Sequence, residues 1–233
     1  MRKIKGIIFD KDGTLFDFQA TWGAWSRGFL AEESHGDPVL MQRLADVLGY
    51  DLSINGFRVD SVVIAATTET VADLILPLLP GEDKAALLAR MDSRAIAAPQ
   101  VEVTPLGPLL RGLRDRGLAL GVATNDTEAP ARAHLRHAGI DGLFDFIAGF
   151  DSGHGGKPAP GQLLAFANAQ GLAPSDCAMV GDSLHDLHAA RAAGMVAVGV
   201  LTGMADEATL DQSADVVLGS IADLPEWLDQ RHA

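Results

Sequence analysis

The stretch Ile7-Ile8-Phe9-Asp10-Lys11-Asp12-Gly13-Thr14 decides the fold. The apolar run from Ile4 to Phe9 is short and gives way at once to polar residues, the pattern of a buried strand running into a loop. In extended backbone alternate side chains share a face. Asp10 and Asp12 are therefore expected to point together, with Lys11 turned away from them. Gly13 suits a tight turn after the strand, and Thr14 a hydroxyl that braces the Asp10 loop.

Beyond that loop the character changes. From about residue 17 to 97, Trp22, Trp25 and Phe29 recur at helical spacing and Leu40, Leu44 and Leu48 repeat every four residues. Val71 to Leu79 and Lys84 to Arg94 continue in helix-forming residues, so this block reads as helical, broken by a loop around Leu52 to Asp60. After Thr104-Pro105 strands and helices alternate. Strands are expected over 118–123, 144–149, 177–180, 196–200 and 215–218, and helices over 130–138, 160–170 and 184–193, with a closing helix through Trp227. Alternation of this kind implies an α/β fold with a doubly wound parallel sheet and its ligand at the carboxyl ends of the strands. Residues 1–16 and 98–233 are expected to form that Rossmann-like core. Residues 17–97 form an inserted all-helical cap over the ligand edge.

Composition narrows the partners. The 233 residues carry a formal net charge of -13, which disfavours nucleic acid or an anionic membrane. No apolar run approaches the roughly 20 residues needed to cross a bilayer. The basic start Met1-Arg2-Lys3-Ile4-Lys5 leads into a strand rather than a signal peptide, so a cytoplasmic address follows by default. The single cysteine, Cys177, sits in an apolar run and excludes an internal disulfide framework.

Four polar signals each follow an expected strand: Asp10-Lys11-Asp12-Gly13-Thr14, Thr124-Asn125, Lys157-Pro158, and Gly181-Asp182 with Asp186 behind it. In a parallel sheet the strand ends converge on one edge, so residues this distant in sequence can meet. With these four motifs spanning residues 10 to 186, the chain resembles the haloacid dehalogenase-like hydrolase superfamily. Its nearest likeness is to the phosphatases with a helical cap after the first motif, a group that includes phosphoglycolate phosphatases.

The resemblance implies a phosphatase acting on a small phosphorylated metabolite through an aspartyl phosphate. Asp10 matches the nucleophile and Asp12 the general acid/base, which must hold a proton near neutral pH. Thr124, with Asn125, matches the hydroxyl motif that contacts the phosphoryl group, and Lys157 the cation between nucleophile and phosphoryl oxygens. Asp182 matches the metal-binding carboxylate, supported by Asp186. Crowding Asp10, Asp182 and a phosphate dianion costs about 4 kcal/mol per like-charge pair at an effective dielectric near 20. One lysine cannot offset several such repulsions, whereas Mg2+ suits an all-oxygen ligand set. By the same resemblance its protein ligands are the side chains of Asp10 and Asp182 and the backbone carbonyl of Asp12.

Arg58, in the non-helical loop of the cap, is the expected contact to the substrate's anionic tail, ahead of Arg27, Arg90 and Arg94. The Trp22, Trp25 and Phe29 stripe reads as cap core rather than a substrate platform. The pairs His134/His137 and His185/His188 read as solvated helix residues. Dehalogenases of the superfamily lack the second aspartate present here as Asp12. Two rivals stay open, a sugar-phosphate mutase using the same four motifs and, more remotely, a phospho-accepting signalling receiver. A homodimer is also left open.

Overall fold

A computed structural model describes residues 3–64 and 66–232, without the side chain of His232; Met1 and Arg2 of the basic start lie outside it. In chain order the elements are β1 (Gly6–Phe9), α1 (Phe18–Glu33), α2 (Pro38–Leu48), β2 (Tyr50–Asp51), β3 (Gly56–Phe57), α3 (Thr68–Ile75) and α4 (Lys84–Ala95). Then follow α5 (Leu106–Asp115), β4 (Ala119–Ala123), α6 (Glu128–His137), β5 (Phe146–Ala148) and α7 (Gly161–Ala169). The chain ends with β6 (Cys177–Gly181), α8 (Leu184–Ala193), β7 (Val196–Val200), α9 (Glu207–Leu210), β8 (Val216–Leu218) and α10 (Leu224–His232). Among the described residues no helix is long and apolar enough to cross a membrane.

Six strands form one sheet in the order β5-β4-β1-β6-β7-β8, every pair parallel, as the sequence pattern predicts. β1 lies inside it, with Phe9 level with Val122 of β4 and Val180 of β6. All four β1 residues are buried because helices cover both faces, the condition that lets a parallel strand be apolar throughout. Alternation along the strand divides the core. Ile7 and Phe9 pack with Leu110 and Leu113 of α5 and Leu135 of α6, while Ile8 faces Leu163 and Phe166 of α7. Burying a side chain of this size stabilises the fold by roughly 1.5–3 kcal/mol.

The helix α5 has no counterpart in the sequence reading. Its signal is present in Leu106, Leu110 and Leu113, which share one buried face. The usual start signal is missing, since Pro105 cannot cap. Instead the Glu102 carboxylate accepts the Leu106 N–H at 2.9 Å from four residues upstream.

The inserted block has its own core, built on Phe29, Leu30, Leu44, Tyr50, Ile75 and Leu87. It is helical except where the loop at residues 52–60 was expected. There Tyr50–Asp51 pairs antiparallel with Gly56–Phe57 as a short ladder. The ladder is held because the buried Tyr50 hydroxyl donates to the Gly23 carbonyl at 2.7 Å and Gln19 bonds both backbone polar groups of Phe57. The chain leaves and re-enters the sheet domain through paired backbone, with the Asp17 N–H bonded to the Val101 carbonyl (2.8 Å) and Val103 to Leu15 (3.1 Å). Asp17 then caps α1 by accepting the Ala20 N–H.

The sheet requires glycine where α7 lies closest. A β-carbon on Gly121 would stand 2.7 Å from the Phe166 ring, which also covers Gly6. Gly121→Val should therefore destabilise the protein by roughly 1–3 kcal/mol through overpacking, read as a lowered urea midpoint. An unchanged midpoint would show that the ring has room to move.

Candidate active site

Asp10 is the first residue past β1, anchored by its N–H to the Val180 carbonyl at 2.8 Å. Lys157 reaches it from the loop before α7, and its ammonium lies 2.6 Å from Asp10 Oδ1 and 2.6 Å from Asp186 Oδ1. Asp182 follows β6 directly. It stands one residue before Ser183, the N-cap of α8, so its carboxylate is not engaged in capping. Asp186 does that work, accepting the Ser183 N–H and hydroxyl at 3.1 and 2.7 Å. Oxygens of Asp10, Asp182 and Asp186 come within 4.8 Å of one another. The four motifs expected to meet at the strand edge are thus adjacent.

Backbone without side chains makes room for these acids. A β-carbon on Gly13 would approach Asp182 Oδ2 to 2.3 Å, and one on Gly203 to 1.7 Å. Gly13 also takes φ +80, a conformation that favours glycine. The Thr14 hydroxyl donates to Asp182 Oδ1 at 3.4 Å, and the Thr202 hydroxyl to the Gly13 carbonyl at 2.6 Å. Thr202 and Gly203 escape a reading by motifs because the stretch of loop directly after β7, Leu201 to Ala205, carries no acidic or basic residue.

Burial lifts the Asp10 carboxyl to about 7, against the opposing pull of Lys157 and with a further push from Asp186. Asp182 stands well above the ordinary carboxylate range, first from burial and then from Asp10 and Asp186. Burial works against the charge of Lys157, but Asp10 and Asp186 outweigh it and hold the ammonium above its usual value. Three buried carboxylates with one buried ammonium leave an excess of negative charge. The donor set is oxygen alone and is cradled by glycine backbone, so these residues fit a hard divalent cation.

Lys11 departs from the sequence expectation. It does not turn away from Asp12. Fully buried, it bends back so that its ammonium lies 2.6 Å from Asp12 and 3.1 Å from Asp126. It also lies 5.3 Å from the centre of the Trp22 ring, a cation–π contact. Burial opposes its charge, yet the two aspartates hold it above the ordinary lysine value. The Trp22 indole N–H donates to Asp12 Oδ1 at 2.8 Å. A residue of the insert thus holds the carboxylate expected to act as acid and base. Strand alternation gives only where a side chain sets out; a four-carbon stem can return to the nearest pair of acids. Asp126, absent from the sequence reading, is lifted to about 6 by burial, with Lys11 pulling the other way. Its position directly after Thr124-Asn125 was the available signal.

Thr124 lines the same chamber, its hydroxyl accepting the Asp126 N–H at 3.1 Å. Asn125 lines it too, but its amide grips the backbone of Lys157, donating to the carbonyl (2.9 Å) and accepting the N–H (2.8 Å). Asn125 therefore positions Lys157. His134 is not solvated. It is buried, bonds the Ala95 carbonyl at 2.6 Å, and burial pushes its imidazole down to about 4.

Above these groups lies a chamber that opens to solvent. The inserted block supplies its roof with Phe18, Trp22, Trp25, Ile64, Val71 and Met91. The tryptophan stripe therefore serves as both cap core and chamber wall. Arg58 does not line the chamber. It is exposed, 3.7 Å from Asp60, on the outside of the β2–β3 ladder. Arg27 bonds Leu52 and Asn55, Arg90 bonds Glu33 and Glu82, and Arg94 pairs with Glu32.

The sequence profile described as haloacid dehalogenase-like hydrolase matches residues 4–194. The phosphoglycolate phosphatase of Shigella dysenteriae serotype 1 (strain Sd197) is 30% identical, the match covering 99% of this chain and 94% of that protein. That of Xylella fastidiosa (strain 9a5c) is 32% identical over 84% of this chain and 80% of its own. Among solved structures, a HAD phosphatase from Thermococcus onnurineus superposes with a TM-score of 0.69 at 23% identity, covering 97% of this chain and 98% of that one. A β-phosphoglucomutase from Clostridium difficile gives 0.67 at 19%, covering 98% and 99%. These two likenesses concern the fold.

The Trp22 contact generates an expectation for turnover. Trp22→Phe keeps a ring over Lys11 but removes the hydrogen bond to Asp12. A hydrogen bond that orients the acid/base is worth roughly 0.5–1.5 kcal/mol, so kcat should fall several-fold. Thermal melting should move by only a few degrees. Unchanged kcat in the folded variant would make the contact merely structural.

Proposed function

The chain belongs to the haloacid dehalogenase-like hydrolases and is a phosphatase; from that premise we propose that it hydrolyses a small phosphomonoester through a phosphorylated Asp10, with Mg2+ beside it. The observation that carries this reading is the Lys157 ammonium bridging Asp10 and Asp186, with Asp182 alongside, on the floor of a roofed chamber. An Asp10 oxygen attacks phosphorus, the bond to the leaving oxygen breaks, and Asp12 supplies the proton that the departing alkoxide needs. Water then attacks the phosphoryl group, Asp12 takes its proton, and Asp10 is released with inorganic phosphate. Lys157 holds the Asp10 oxygen and offsets charge as the phosphoryl group arrives, and the Thr124 hydroxyl lies on the same side to donate to it.

Asp10, Asp182 and the Asp12 carbonyl, with Asp186 behind them, would hold Mg2+, which supplies positive charge against the phosphoryl oxygens when bound. Phosphoglycolate, which the relatives' names specify, is small enough for the chamber. A roof without a cation among its lining residues favours hydrolysis over a mutase reaction, because a bisphosphate intermediate would need its far phosphate neutralised.

Asp10→Asn should cut turnover of an aryl phosphate to below about a hundredth while the melting curve stays cooperative. A folded variant above that level would remove Asp10 from the covalent step. Excess chelator should abolish activity, Mg2+ should restore it, and Ca2+ should inhibit. Calcium takes longer bonds and more ligands, which misplaces the nucleophile. Full activity in chelator would exclude the metal.

A further inference from the structure

The chamber is chemically divided. Its floor gathers Asp10, Asp12, Asp126, Asp182 and Asp186 around the buried ammonium groups of Lys11 and Lys157. Lys11 is committed to Asp12 and Asp126, and Lys157 to Asp10 and Asp186. The roof is a continuous apolar wall of Phe18, Trp22, Trp25, Ile64, Val71 and Met91, relieved only by Ser26 and Thr68 among polar side chains of the insert. Among the described lining residues the insert contributes no Arg, Lys or His.

We propose that this site selects phosphomonoesters whose leaving group is neutral and largely apolar, an aryl or branched alkyl alcohol, over those that carry a second anion. The proposal rests on the phosphatase reading above and narrows its substrate class. A phosphoryl group at the floor can meet Lys157 and the bound divalent cation. The rest of the molecule must then project against the roof. A carboxylate there would leave water, face an excess of floor aspartates, and find no cation of the insert to pair with, His185 of α8 being the basic lining residue besides Lys157. An apolar group in the same place gains by burial and needs no partner. The Trp25 ring stacks on Phe29 with centroids 5.3 Å apart, which holds its plane steady as one side of the wall. A pocket built this way rejects a charged tail more strongly than it sorts apolar tails by size.

The test compares kcat/KM of the Mg2+-loaded protein for benzyl phosphate and phosphoglycolate. Benzyl phosphate should be preferred by about tenfold or more. Ile64→Arg places a cation at a half-buried wall position and should shift that ratio towards phosphoglycolate by about tenfold. Trp25→Ala, a second probe should the first fold poorly, should lower the benzyl phosphate value several-fold more than the phosphoglycolate value. Equal or better use of phosphoglycolate by the unaltered protein would overturn the proposal while leaving the Asp10 reaction intact. Turnover that survives Asp10→Asn would instead overturn the covalent step and leave the wall preference standing. If neither ester is turned over, both fall.

Discussion

Everything at the strand edge depends on the Lys157 ammonium, 2.6 Å from both Asp10 and Asp186. Without it three carboxylates would share a space from which water is largely removed. Leaving one partner of a buried ion pair uncompensated costs roughly 3–5 kcal/mol. Much of the surrounding backbone serves to bring this ammonium in. Asn125 clamps the Lys157 backbone from one side, and Gly156, where a β-carbon would fall 2.9 Å from the Asn125 oxygen, leaves space for that clamp. Gly181 does the same for Asp186, whose side chain would meet an added β-carbon at 2.3 Å. The acids can approach because the backbone recedes.

A second knot of charge ties the roof to this floor. Lys11 joins Asp12 to Asp126, and Trp22 descends from α1 to bond Asp12 and cover Lys11 with its ring. Two further contacts fix the far side of the insert, the Thr127 hydroxyl on Asp92 (2.8 Å) and His134 on the Ala95 carbonyl. The insert is therefore joined to the core both through its backbone stem and through polar contacts beside the reacting carboxylates. Any motion that lifts α1 must break a bond to Asp12.

Much of this was legible along the chain. The apolar run before Asp10 and the alternation after Pro105 predicted a parallel sheet, and Asp10, Lys157, Asp182 and Asp186 meet as expected at its edge. The expectations that failed share a cause. Lys11 and His134 were each read from local spacing, whereas the groups that fix them lie elsewhere in sequence. Asp126 holds Lys11 and the Ala95 carbonyl holds His134, while Arg58 lies outside beside Asp60. Helix α5 was missed because Glu102, not the residue beside it, satisfies its first N–H.

The sequence by itself determined where the strands of the parallel sheet lie, which acids follow them, and that a largely helical block follows the first motif. Hydrophobic period and the abrupt change from apolar to acidic are local properties, and parallel pairing brings strand ends together whatever fills the loops. Tertiary structure alone decided where long side chains finish and what the roof presents below. Lysine and arginine stems span several ångström and settle on whichever acids packing brings near. That is why Lys11 became part of the floor, while the arginines of the insert paired on its outer side and left the chamber an apolar roof.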